Sequence, residues 1–453
     1  MRDTETPEME VRPTSPENCF ASVQKAGRAE GLSPDVVVVD TGQPIIPPLE
    51  MRSPQTPEEV DEIYRWTIRN GIIDHHGVDA SVLEMPEGGT RRCAAKMVAD
   101  FPDEVLALIQ EKNIKGVSGH IDSDLDSITA TYLTKILVDT RSVSGLPKFT
   151  QKLGEIVNLV DYGRFGETDP QRFIKSLPGY FGSLKNVLFD KMHAAIGAIW
   201  RSAEIPKEEK AGRSKAVSEQ FHGELITQMF AIFNACAKAE SEGFQINFED
   251  LDTTNGLTFS DEFKELLRIG REKSLTDVEA FNQEFESAEQ RRVTIRTKEG
   301  ANLEVTLLIF GQTKLSPLAV TNMAYMRMPP ETIVAVYAGQ DRKKGGDNYD
   351  IGMKVESLDL FDLTSLEAIF NDAEREKREP ILLSLRQKEK EGTLSEEETK
   401  LLKTWTTLRP GKEYLGIGDP TVCVAGGSLI AASKTSLLNA EDFRRVVTNF
   451  FSK

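Results

Sequence analysis

Between Ser33 and Phe165, short apolar runs alternate with longer stretches of helical periodicity. Val36-Val37-Val38-Val39 is a continuous β-branched run ending in Asp40, the pattern of a parallel strand buried on both faces. Thr56 to Asn70 (TPEEVDEIYRWTIRN) is a charged helical stretch, and Gly71-Ile72-Ile73 is a second short strand closed by Asp74-His75-His76. Thr90 to Ile109 reads as a helix. Ile114 to Ser118 reads as a third strand ending at Gly119-His120, and Ser127 to Val138 as a further helix. Each of these strands therefore ends in an acidic or histidine residue. In a doubly wound sheet the carboxyl ends of the strands form the ligand crevice. The pattern predicts an α/β fold with a doubly wound parallel sheet, and its polar residues fall where that topology places a site.

From Pro170 to Glu286 the apolar spacing is helical, most clearly over Lys185 to Trp200 and Ser218 to Glu240, and carries no recognisable chemistry. A change follows near Arg291. Arg292 to Thr297, Asn302 to Phe310, Thr332 to Tyr337 and Tyr349 to Val355 read as strands of a second, smaller α/β domain. The highly charged stretch Glu374 to Lys403 predicts a helical hairpin with Gly392-Thr393 at its turn, most simply a solvated face. The expected organisation is a disordered leader at 1–20, a domain at 21–168, a helical insertion or connector at 169–290, and a domain at 291–453 with the hairpin at about 366–408.

Composition narrows the class. At 453 residues, with 39% hydrophobic and 28% charged positions, the chain has the make-up of a globular protein of two or three domains. No apolar run approaches the ~20 residues that span a bilayer. Met1 to Cys19 is polar, acidic and proline-bearing, unlike a secretory signal. The four cysteines (Cys19, Cys93, Cys236, Cys423) have no paired spacing, which argues against a disulfide framework or zinc knuckle and for a reducing cytoplasm. A net charge of −17 disfavours coating long duplex nucleic acid, which requires a basic face. It leaves room for a small anionic substrate, because a metal centre supplies local positive charge.

The candidate chemistry lies in three places. His120-Ile121-Asp122-Ser123-Asp124-Leu125-Asp126-Ser127 follows a strand and opens a helix, and its imidazole and carboxylates suit Mn²⁺, Fe²⁺, Co²⁺ or Zn²⁺. Helix capping by Asp126 or Ser127 is the bland alternative. Adjacent His75 and His76 point in different directions, so one can bind metal while the other faces substrate, with Asp74 orienting a ring. A polar turn is the competing explanation. Asp40 ends the most apolar strand, where a buried carboxylate requires a partner, unless it caps a turn with Thr41-Gly42. Of the chain's five histidines, three fall in these motifs, whereas His193 and His222 sit in helical stretches. Their joint occurrence favours a metal site over capping alone.

These residues resemble the DHH phosphoesterases, a family that includes manganese-dependent inorganic pyrophosphatases, exopolyphosphatases, oligoribonucleases and cyclic-dinucleotide phosphodiesterases. Asp74-His75-His76 matches the name-giving triplet, His120 to Asp126 its His-x-x-x-Asp-x-Asp motif, and Asp40 its strand-end aspartate. The resemblance covers roughly residues 33–165. In the family the His-x-x-x-Asp-x-Asp strand comes first, so the motif order here is circularly permuted. Asp161, within NLVDYGRF, is the candidate for the family's fourth aspartate. The family's C-terminal DHH-associated substrate domain carries a glycine-rich signature followed by histidine. Ala425-Gly426-Gly427-Ser428 is similar, with Ser428 in the histidine's place, and Arg342, Lys343 and Lys344 are candidate phosphate contacts.

The resemblance implies a metal-binding catalytic domain at 21–168 and a substrate-binding domain at 291–453. It implies two divalent cations, Mn²⁺ first, with Mg²⁺ or Co²⁺ as alternatives. His120, Asp124 and Asp40 would hold one, and Asp126, Asp40, His75 and Asp161 the other. His76 would contact phosphate or protonate the leaving group, and Asp74 would orient a histidine. Gly426, Gly427, Ser428 and Arg342 would face the substrate. The expected function is hydrolysis of a phosphodiester or phosphoanhydride in a small nucleotide or short oligonucleotide. Pyrophosphate or polyphosphate hydrolysis, and metal binding without turnover, stay open. A homodimer is also left open.

Overall fold

The computed structural model describes residues 19–22, 34–40, 47–82, 85–120, 124–162, 165, 167, 169–296, 302–313, 315, 320, 323–324, 327–328, 332–337, 349–353, 363–406, 422–425, 428–431 and 438–451. The fold is mixed α/β and mostly helical, with one small parallel sheet and one mixed sheet. The chain divides into two compact units, Met1–Thr276 and Asp277–Lys453, and the helical stretch expected over 169–290 falls on both sides of that division. Among the described residues, no helix is long and apolar enough to cross a membrane.

The first unit is built on four parallel strands: β1 (Cys19–Ser22), β2 (Val36–Val39), β3 (Ile72–Ile73) and β4 (Gly116–His120), ordered β1-β4-β2-β3. The apolar pattern predicts β2, β3 and β4 but not β1, whose pairing with β4 is a tertiary choice. Helix α1 (Pro57–Arg69) links β2 to β3. Thr56 caps it by accepting Glu59 N–H, Pro57 takes the first helical position, and Val60, Ile63, Tyr64, Thr67 and Ile68 form its buried stripe. Gly71 stops the helix at φ +90°, a conformation glycine alone adopts freely, and sends the chain straight into β3.

Between β3 and β4 lie α2 (His76–Ser81), α3 (Ala94–Asp100) and α4 (Pro102–Glu111). The single helix expected over 90–109 is in fact two. Pro102 has no N–H to continue α3 and instead starts α4 at its first position. Helix α5 (Leu125–Thr140) follows β4 and is buried from Leu125 through Val138. Strand β4 rests directly on it: a Cβ at Gly119 would lie 2.6 Å from Ser127 Oγ, so only glycine fits. Helix α6 (Thr150–Asp161) packs on α3 and α5. After the short α7 (Pro170–Phe173) come α8 (Leu177–Arg201) and α9 (Lys207–Ser241), which pack on one another, and α10 (Asp261–Ser287). Phe230 and Phe233 of α9 cover Tyr132 of α5, so this helical block helps bury the helix next to the candidate site.

The second unit has a six-stranded sheet ordered β5-β6-β7-β8-β10-β9: β5 (Glu289–Arg296), β6 (Asn302–Gln312), β7 (Thr332–Tyr337), β8 (Tyr349–Met353), β9 (Val422–Ala425) and β10 (Ser428–Ala431). Only β6 and β7 run parallel. All six residues of β7 are buried. Ile333, Ala335 and Tyr337 enter a core with Phe443 and Val447, while Val334 and Val336 face Phe281 and Phe310. The charged segment forms α11 (Leu363–Glu391) and α12 (Glu396–Thr406), with Gly392 at φ +67° between them. Helix α13 (Ala440–Phe451) closes the chain. Strand β10 pairs antiparallel with β9.

Candidate metal centre

Asp40 follows β2 directly, and its N–H donates to Ile73 O of β3 (2.8 Å), which fixes it at the seam of the two strands. Its φ of +47° is unusual for a residue with a Cβ, a local strain held by the surrounding structure. His75 comes two residues after β3 and precedes α2, so β2 and β3 deliver Asp40 and His75 to the same end of the sheet. Asp126 projects from the first turn of α5, and Asp161 is the last residue of α6.

These side chains converge. His75 Nε2 lies 3.6 Å from Asp161 Oδ2, 3.7 Å from Asp40 Oδ1 and 3.9 Å from Asp126 Oδ2. His76 Nδ1 lies 3.7 Å from Asp40 Oδ1. Two overlapping groups, Asp40–His75–His76 and His75–Asp126–Asp161, each bring their donor atoms within 4.8 Å of one another. The two histidines differ in access: the side chain of His75 is 7% exposed and that of His76 48%.

Three of the donors are held from behind. His75 Nδ1 meets Asp79 Oδ2 at 2.6 Å, and His76 Nδ1 meets Asp74 Oδ1 at 2.8 Å. Asp74 is thus placed to orient His76. The two oxygens of Asp126 accept Ala94 N–H (2.8 Å) and Ala95 N–H (2.6 Å), the free donors at the start of α3. Asp124 is the N-cap of α5, its Oδ1 accepting Ser127 N–H at 2.8 Å. Capping thus falls to Asp124, whereas Asp126 faces the cluster.

Electrostatics show what this cluster can hold. Desolvation raises Asp126 to about 7 from the usual 3.8, with Asp40 and Asp124 adding to the rise and His75 opposing it. Desolvation and the neighbouring Asp126, Asp124 and Asp40 likewise push Asp161 well up, against His75. Burial opposes the charge on His75, but Asp79, Asp161 and Asp40 outweigh it and raise its pKa well above 6.5. Three carboxylates sharing a largely dry space cannot all ionise without a counter-charge. A divalent cation supplies that charge, and the mixed imidazole and carboxylate donors suit it. The group can therefore hold a metal ion.

Other expected site residues stand differently. His120 is the last residue of β4, in register with Ser22 of β1, and Ser428 is the first residue of β10; only their backbone is described. Asp122, Arg342, Lys343, Lys344, Gly426 and Gly427 lie outside the described residues. Asp79, Arg91 and Tyr162 were not anticipated. The available signals were the four-residue helical spacing from His75 to Asp79 and the adjacency of Tyr162 to Asp161. No family model, no curated protein and no solved structure matches the chain.

Proposed function

We propose that the first unit is a metal-dependent phosphoesterase of the DHH type, hydrolysing a phosphodiester or phosphoanhydride. The observation that carries this reading is the convergence of Asp40, His75, Asp126 and Asp161 at the carboxyl end of adjacent parallel strands. Asp40, His75, Asp126 and Asp161, with His120 and Asp124 by resemblance, would hold two divalent cations, Mn²⁺ foremost. Such cations polarise a phosphoryl oxygen and make a water acidic enough to attack phosphorus at neutral pH.

The chain's own residues do the rest. Burial disfavours the charged form of His76, but its hydrogen bond to Asp74 more than compensates and raises the ring's pKa. Asp74, despite its burial, is held ionised by His76 and His75. His76 is therefore easier to protonate than a free imidazole, and from its half-exposed position it is suited to give a proton to the leaving oxygen. The substrate would be a small nucleotide or short oligonucleotide, since the acidic chain disfavours long duplexes.

The test strips the purified chain of metal and restores Mn²⁺, Mg²⁺ or Co²⁺ against bis-p-nitrophenyl phosphate, pyrophosphate, polyphosphate, short RNA and cyclic dinucleotides. Hydrolysis should return with metal and fall by at least about a hundredfold in His75→Ala and in Asp161→Ala. Preference for pyrophosphate would move the reading to the phosphoanhydride branch. Metal binding without any turnover would refute the enzyme and leave a regulatory metal protein.

A further inference from the structure

Asp79 belongs to none of the motifs that mark the metal centre, yet three side chains converge on it. His75 Nδ1 reaches Asp79 Oδ2 at 2.6 Å. Tyr162 Oη donates to Asp79 Oδ2 at 2.9 Å and also lies 3.2 Å from His75 Nδ1. Arg91 donates to Asp79 Oδ1 at 3.1 Å and to Val82 O at 3.1 Å, spanning the last turn of α2 and its C-cap. Tyr162 and Arg91 are 3% and 8% exposed, so water competes little for these bonds.

A second layer holds the brace in place. Asn158, one helical turn before Tyr162 on α6, donates to Arg91 O at 3.0 Å and accepts Cys93 N–H at 2.7 Å. The helix that ends in Asp161 thus also anchors the segment carrying Arg91. The same segment leads into Ala94 and Ala95, which bind Asp126. The supports of His75, Asp126 and Asp161 are one connected structure.

We propose that Asp79, braced by Tyr162 and Arg91, is a positioning residue for His75. It accepts the hydrogen bond from Nδ1–H, so that a cation entering beside Asp40, Asp126 and Asp161 displaces the proton from Nε2 and meets that nitrogen's lone pair. The proposal rests on the metal-centre reading above. The physical basis is that an ionised carboxylate only accepts hydrogen bonds, so the ring tautomer facing it carries its proton on Nδ1. Locking tautomer and ring orientation beforehand removes that ordering cost from metal binding.

The test is Mn²⁺ calorimetry on the full metal-stripped chain, beside Asp79→Asn and Tyr162→Phe. Asp79→Asn should bind Mn²⁺ about 10–100-fold more weakly. Tyr162→Phe, which keeps the Arg91–Asp79 pair and so the fold, should show a smaller loss in the same direction. In the Zn²⁺-loaded, ¹⁵N-histidine-labelled chain, the His75 Nδ1–H should be visible and protected from exchange, and a structural role alone would not require that signature. Equal Mn²⁺ affinity in Asp79→Asn and the parent overturns this proposal alone. A Zn²⁺-loaded parent lacking a protected Nδ1–H also overturns it, even if Asp79→Asn does not fold. Failure of the parent to bind either metal overturns the metal-centre reading and this proposal together.

Discussion

Asp126 does two jobs with one carboxylate, capping α3 through both oxygens while facing His75 and Asp161. Its folded pKa of about 7 lies above the unfolded value near 3.8, so its favourable contribution is complete below about 3.8. That contribution is lost as pH rises through about 7. In metal-free protein, the melting temperature of Asp126→Asn relative to the parent should therefore climb between about pH 4 and about pH 8. The lost helix-capping acceptor adds a pH-independent cost. With Mn²⁺ present the parent should regain the lead at neutral pH, because its carboxylate is then neutralised. A pH-independent difference in thermal scans without metal would refute the account. At this scale Asp40, His75 and His76 were legible because they stand at the ends of apolar runs. Asp79 was not, since an aspartate one helical turn beyond a histidine acquires meaning only when Tyr162 and Arg91 arrive from elsewhere in the chain.

Helix contacts divide the glycines into two kinds. A Cβ on Gly270 of α10 would stand 2.2 Å from Ser183 O of α8, so alanine there forces two backbones apart. A Cβ on Gly223 of α9 meets nothing within 4 Å. Gly270→Ala should destabilise by about 1–3 kcal/mol through overpacking. Gly223→Ala should stabilise by about 1 kcal/mol through helix propensity. Opposite shifts of the urea midpoint are expected, and shifts of the same sign would contradict the packing of α8 on α10. In the second unit, Asn439 and Asp442 each donate the backbone N–H to the other's side-chain oxygen at the start of α13, a reciprocal cap. Burial works against the charge on Asp442, but Lys377 and Arg445 hold its pKa below the usual value. Its contribution is present above the ordinary carboxylate range and lost as pH falls through the lowered value. Asp442→Asn should therefore narrow the stability difference between about pH 6 and about pH 3, as followed by thermal unfolding.

On the scale of the whole molecule, each unit has its own core, and the candidate ligands span only Asp40 to Asp161 of the first. Calorimetry should resolve more than one transition, because two separate cores do not melt as a single two-state system. Mn²⁺ should raise only the transition of the first unit, by about 2.7 kcal/mol at a concentration a hundred times Kd. A Mn²⁺ shift confined to the transition weakened by Asp442→Asn would place the site in the wrong unit.

The sequence by itself determined the local elements and the polar ends of the strands. Val36 to Val39 forms the expected strand, with Val37 and Val39 buried but Val36 and Val38 only half-buried, Thr56-Pro57 starts a helix, and Asp40 and His75 inherit the ends of their runs. Such features follow from side-chain periods of two and 3.6, which are complete within a few residues. Tertiary structure decided the rest. It paired β1 with β4, broke the expected helix at Pro102, paired β10 with β9, and brought α5 and α6 to one point with β2 and β3. Those outcomes depend on contacts between residues tens of positions apart. Burial and partner geometry select among such contacts only once the chain has closed on itself.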